Sequence, residues 1–226
     1  MQNVFLFLAL GCLAVPALRL QAQQPATPRL AGLPQPFEWQ HAPQSWQSNA
    51  PTALDLTAGA RTNWFLPPTG DAGDDNSPRL LFQPVGDFVL SARLDVDFQK
   101  QWDAGALVLY IDPTHWAKLC FEYSTEGKPT IVSVVTQGLS DDNNSFPLAS
   151  HTAYLKLAKS GQAIFFYASA DGQHWSIVRA FSFGKWTAPK AGFSAQSPVG
   201  LETHVRFSQI HYESGPVDLW KGETHK

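Results

Sequence analysis

The chain has 226 residues, of which 44% are apolar, 12% aromatic and only 15% charged. Eight Trp and fifteen Phe supply so much surface to bury that disorder is excluded as the main state. Sixteen basic against nineteen acidic residues give a formal charge of −3, which excludes a general binder of nucleic acid or of anionic membranes.

In chain order, Val4 to Leu18 form an apolar run interrupted by Pro16, too short to span a bilayer comfortably. Leu20-Gln21-Ala22 then offers a small residue at a cleavage position. Residues 1–22 therefore read as a secretory signal peptide, and the mature chain is expected outside the cytoplasm, secreted or periplasmic, with no stable membrane insertion. An uncleaved anchor is the alternative. Gln23 to Pro36 is rich in Gln, Pro and Ala and reads as a linker. Removal of Cys12 with the signal would leave Cys120 alone, so a packed core rather than a disulfide must hold the domain.

Asp, Pro and Gly are frequent, and all three favour turns over helices. From Phe88 to Phe98 the residues Phe88, Leu90, Ala92, Leu94, Val96 and Phe98 alternate with mainly polar ones. That period of two predicts a strand with one buried face. Leu54 with Leu56, and Leu155 with Leu157, repeat the pattern on a shorter scale. Gly105 to Ile111, Ala117 to Tyr123, Ile131 to Thr136, Ile164 to Ala168 and Ile177 to Phe183 are apolar on both faces and read as central strands. Turn signals such as Glu126-Gly127-Lys128-Pro129 and Asp171-Gly172 separate them. Val205 and Phe207 differ in parity from Ile210 and Tyr212, which calls for a β-bulge near Ser208-Gln209. The polar end, 214–226, reads as a frayed tail. The expectation is an all-β sandwich over 37–213 with minimal helix.

Three stretches carry more than composition: Asp103-Ala-Gly-Ala-Leu-Val-Leu-Tyr110, Trp116-Ala-Lys-Leu-Cys-Phe-Glu122 and Ser133-Val-Val-Thr-Gln-Gly-Leu-Ser-Asp-Asp-Asn-Asn144. With Tyr154-Leu-Lys-Leu157 and Ser169-Ala-Asp-Gly-Gln-His-Trp175, they resemble the DUF1349 family from about Trp39 to Tyr212. That family is related to the fungal "regulation of enolase" protein. The resemblance implies a concanavalin A-like jelly roll of two antiparallel sheets. It implies little about function, since one fold hosts lectins, glucanases and inert modules alike.

On the strand from Trp116 to Tyr123, Trp116, Lys118, Cys120 and Glu122 share one parity and Ala117, Leu119, Phe121 and Tyr123 the other. The second set is the core face by composition, so the first looks outward. An aromatic, an ammonium and a carboxylate on the concave outer face of a sheet can stack on a sugar and hydrogen-bond its hydroxyls. The competing assignment is a structural Lys118–Glu122 or Lys118–Asp pair that merely satisfies a sheet face. Tyr110, Tyr154 and Lys156 are expected as neighbours of this site. Ser140, Asp141, Asp142 and Asn144 are expected in the loop that follows, as its rim. These oxygens can also hold Ca²⁺, but the EF-hand spacing is missing and no cofactor is called for. Trp64 and Trp102 are weaker candidates for stacking, and Cys120 reads as a buried filler.

The strand lacks the Glu-x-Asp-x-x-Glu run of jelly-roll glucanases, and no catalytic residues are assigned. The expected partner is a carbohydrate or glycan-like polymer, bound without turnover. A protein-interaction module is the first alternative, and a glycoside hydrolase or lyase the second.

Overall fold

The computed structural model describes residues 26–186 and 188–225; the expected signal segment, 1–22, lies outside them. Eighteen strands follow in order: β1 (Glu38–Gln40), β2 (Ser45–Ala50), β3 (Ala53–Gly59), β4 (Trp64–Phe65), β5 (Asp74–Asp75), β6 (Arg79–Phe82), β7 (Phe88–Asp97), β8 (Ala104–Asp112) and β9 (His115–Tyr123). Then come β10 (Pro129–Gln137), β11 (Leu139–Pro147), β12 (Thr152–Ser160), β13 (Ala163–Ser169), β14 (Ser176–Phe181), β15 (Lys190–Gln196), β16 (Glu202–Ser214), β17 (Val217–Asp218) and β18 (Glu223–Thr224). Two seven-stranded antiparallel sheets form the sandwich: β1-β6-β15-β8-β9-β10-β11 and β14-β13-β12-β7-β16-β3-β2. We call them the first and second sheet. The described residues contain no helix long and apolar enough to cross a membrane.

The period of two in β7 places Phe88, Leu90, Leu94 and Val96 in the core, while Arg93 turns out to Asp95 at 2.8 Å. Leu119 and Phe121 of β9 point inward to meet them from the opposite sheet. Phe193 of β15 and Phe207 of β16 join the sheets edge to face, with ring centroids 5.2 Å apart. Gly105 marks a close approach of the layers: a Cβ there would lie 2.4 Å from Val205 Cγ1. The expected bulge in β16 lies between Ser208 and His211, with Gln209 at φ 49°.

Three local expectations are corrected. Leu30 and Leu33, assigned to the linker, are buried with Phe37 in the main core, and Ala31 N donates to Pro51 O at 2.7 Å. Two leucines close to a Pro-rich turn are enough to dock the segment. The supposed tail 214–226 forms the β17–β18 hairpin, which lies on the outer face of the second sheet. There Val217 is buried, Tyr167 donates its hydroxyl to Leu219 O, and Trp220 meets Phe165 edge to face. The run Ile177 to Phe183 is not a central strand, because β14 closes the second sheet as a partly exposed edge.

Candidate functional site

The two halves of β9 set up the site. Its core parity fixes the register, so Trp116, Lys118, Cys120 and Glu122 all face away from the second sheet, as their spacing requires. β8 and β10 flank β9 on either side and carry small or branched residues here: Ala106 and Val132 beside Cys120, Val108 and Val134 beside Lys118. The outer face is covered rather than open. Trp64, Phe65 and Leu66, at the β4–β5 hairpin, fold back across it.

That cover changes the role of Trp116. Trp64 stacks on it at 3.9 Å and 22°, and Arg79 lies 4.0 Å over the Trp64 ring. Trp116 is completely buried, so it cannot stack on a ligand as expected. Tyr110 borders the same cluster, 6.2 Å from Trp64. Arg79 is held by Asp75 at 2.6 Å. Ser140 fastens the cover to the sheet: its N donates to Leu66 O at 2.8 Å, and its Oγ accepts from Leu66 N at 3.0 Å.

Where the cover stops, a pocket of about 320 Å³ opens over Lys118 and Glu122. Val134, Asp142 and Gln196 complete its base and sides, and Asn63, Phe65, Trp102 and Pro198 form the rest of the wall. Lys118 is 3% and Glu122 7% exposed, so both charges have left bulk water. They do not pair with one another. Lys118 Nζ donates to Gln196 Oε1 at 2.8 Å, and Gln196 Nε2 donates to Trp102 O at 3.0 Å and approaches Glu122 Oε2 at 3.5 Å. The alternative of a structural Lys118–Glu122 pair gives way to an amide that stands between the two charges. Burial pushes the Glu122 carboxyl up to about 8, against the opposing pull of Lys118. Burial also raises the Asp142 carboxyl, and Lys118 again opposes it. Cys120 fills the space beneath them and is buried.

The Trp102 wall is built by a tight turn. Asp103 is fully buried and accepts from Gln99 N at 2.9 Å, Lys100 N at 2.7 Å and Ser197 Oγ at 2.8 Å. Trp102 itself takes φ 67°, a left-handed conformation that is uncommon for a bulky residue, and keeps its ring 39% exposed.

The acidic rim is strand, not loop. The chain reverses at Gly138, where φ is 80°, and Ser140 to Asn144 run along β11 against β10. Alternation therefore splits them. Asp142, opposite Val134, lines the pocket, and Asn144, opposite Val132, shares its face. Asp141 has the other parity and pairs with Arg179 of β14 at 2.6 Å, tying the edges of the two sheets together. Among the described residues, no cluster of three or more metal-ligating side chains is present.

Tyr154 and Lys156 are not neighbours of Glu122. They lie on β12 of the second sheet, on its outer face. Lys156 Nζ sits 4.0 Å over Trp175 and 5.7 Å from the Tyr167 ring, and Gly172 packs on Tyr154. Trp175 thereby covers a lysine of β12.

The sequence matches the family described as "Protein of unknown function (DUF1349)" over residues 39–215. The chain belongs to the DUF1349 family. No curated protein sequence matches it. A functionally unknown protein from Saccharomyces cerevisiae has the same fold, with a TM-score of 0.74 at 21% identity, over 80% of this chain and 97% of that one. The GH43 protein BlXynB from Bacillus licheniformis superposes at 0.59 and 20%, over 77% of this chain and 36% of its own. This DUF1349 chain thus corresponds to about a third of that protein. The carbohydrate binding module CBM66 from Bacillus subtilis superposes at 0.50 and 14%, over 78% of this chain and 95% of the module. These likenesses establish the jelly-roll sandwich. Gln196 and Asn63 escaped the sequence reading: neither sits in a motif, and the parity of Ser194 and Gln196 was the one available signal.

Proposed function

We propose that this domain binds carbohydrate in the pocket over Lys118 and Glu122, without turnover. One observation carries the reading: an ammonium, an amide and a carboxyl, all desolvated, meet at the base of a small open pocket with aromatic walls. Sugar sites are built in this way, with apolar surface for the ring face and a few fixed polar groups for its hydroxyls. The volume falls near the small end of ligand pockets, ~300–1,000 Å³, and suits one sugar unit of a chain. The fold is shared with a carbohydrate binding module and with parts of glycoside hydrolases, which agrees with this use. A protein-interaction surface would instead need an exposed apolar patch without a groove.

A glycan array with the purified chain, followed by calorimetry on the hits, tests the proposal. Glu122→Gln and Trp102→Ala should each weaken binding at least about tenfold, the scale of one desolvated polar contact. Unchanged affinity in both variants removes this pocket as the site. Cleavage of a bound glycan, lost in Glu122→Gln, assigns a hydrolase instead. We also propose that residues 1–22 direct export. Recovery of a chain beginning near Gln23 from the extracellular or periplasmic fraction supports this; an intact Met1 terminus on soluble cytoplasmic protein overturns it.

A further inference from the structure

The charges of the pocket do not balance internally. Glu122 and Asp142 both line it, and among the described residues neither carboxyl has a Lys, Arg or His nitrogen within 4.0 Å. The nearby ammonium, Lys118, donates to Gln196 and acts on the two carboxyls only from beyond ion-pair distance. Glu122 is 93% buried, and among the described residues its side-chain hydrogen bonding is the 3.5 Å approach of Gln196, at the outer limit of a hydrogen bond. Two acids thus face one base across a space walled by the rings of Trp102 and Phe65. Aromatic faces attract cations, and a desolvated carboxyl such as that of Glu122 needs one, with the more exposed Asp142 at its side.

Resting on the saccharide reading, we infer that the sugar this pocket takes carries a free ammonium group, as an amino sugar does. A bound ammonium brings the pocket to two negative and two positive charges. A neutral sugar leaves Glu122 to relieve the imbalance by holding a proton, which agrees with its raised carboxyl. A uronate adds a third acid and is excluded. The charged or titratable groups facing Glu122 are Lys118 and Cys120 on its own strand and Asp142 from β11. β8, β10 and β15 present uncharged Ala104, Thr130 and Gln196 beside it. Binding the cation should therefore expel a proton from Glu122, and affinity should rise with pH between about 5.5 and 6.5, by up to roughly tenfold per unit.

Calorimetry at pH 6.5 with four probes tests this: a glucosamine trimer, its fully N-acetylated counterpart, a glucuronate-containing trimer, and choline. The glucosamine trimer should bind at least about tenfold tighter than the acetylated one, since one charge–charge contact is at stake. The uronate should not bind. Titration in buffers of different ionisation heat should show proton release for the wild type and none for Glu122→Gln. Asp142→Asn, at a site exposed enough to spare the fold, should erase the preference for the amine. Equal or tighter binding of the acetylated trimer overturns the inference but leaves the saccharide site standing. Choline bound as tightly as the glucosamine trimer leaves an ammonium site and overturns the sugar. Binding of none of the four overturns the inference.

Discussion

Trp64 lies flat on Trp116 at 3.9 Å, and the contact turns this end of the outer sheet face into a second, smaller core. Arg79 completes the stack above Trp64 and is itself 2% exposed. Trp64→Ala should therefore cost about 3–5 kcal/mol, the range for removing a buried large aromatic. Denaturant melts read the loss. A cost below about 1 kcal/mol would show that the cover contributes little to the fold.

Leu94 and Arg93 are adjacent in β7 but face opposite ways, one into the core and one to solvent. Leu94→Ala should destabilise by about 2–5 kcal/mol through lost transfer energy and a cavity. Arg93→Ala gives up only a partly exposed ion pair, worth about 0–1 kcal/mol. Similar midpoint shifts for the two variants would contradict the register.

The Glu122 carboxyl is raised from 4.5 to about 8 by burial. A proton held more tightly in the folded than in the unfolded state stabilises the fold fully below about pH 4.5. That contribution is lost as pH rises toward 8 and amounts to on the order of a few kcal/mol. Wild-type Tm should fall across this window more steeply than that of Glu122→Gln, which cannot titrate. Parallel pH profiles for the two proteins would mean that the carboxyl reaches water freely.

Truncation after Ser214 removes the β17–β18 hairpin and uncovers Tyr167 and Phe165. A loss of a few kcal/mol is expected, since one fully buried aliphatic side chain contributes about 1.5–3 kcal/mol. Increased binding of a hydrophobic dye should accompany it. A truncated chain as stable as the full one would return this segment to the status of a tail.

Strand parity was readable because a half-buried sheet forces alternation, and β7 and β9 obey it residue by residue. Parity names a face but not a sheet, so it cannot separate Tyr154 and Lys156, in the opposite layer, from neighbours of Glu122. Nothing local to Trp116 announces Trp64, which arrives from a distant segment to bury it. Ser140 to Asn144 have the composition of a turn, yet a polar edge strand has the same one. Gln196 reaches Lys118 only through the pairing of β15 with β8, and a contact made across two strands leaves no spacing to find.

Cys120 lies beneath the pocket with no exposed surface, between Lys118 and Glu122 on the strand that carries them both. Burial holds its thiol far above the ordinary range, so the reactive thiolate is suppressed while the sheet is closed. The sulfur can meet an alkylating reagent only when β9 parts from its neighbours. The labelling rate of native protein is thus a clock for breathing of the pocket floor itself. A compound that settles over Lys118 and Glu122 should slow that clock, whatever its identity.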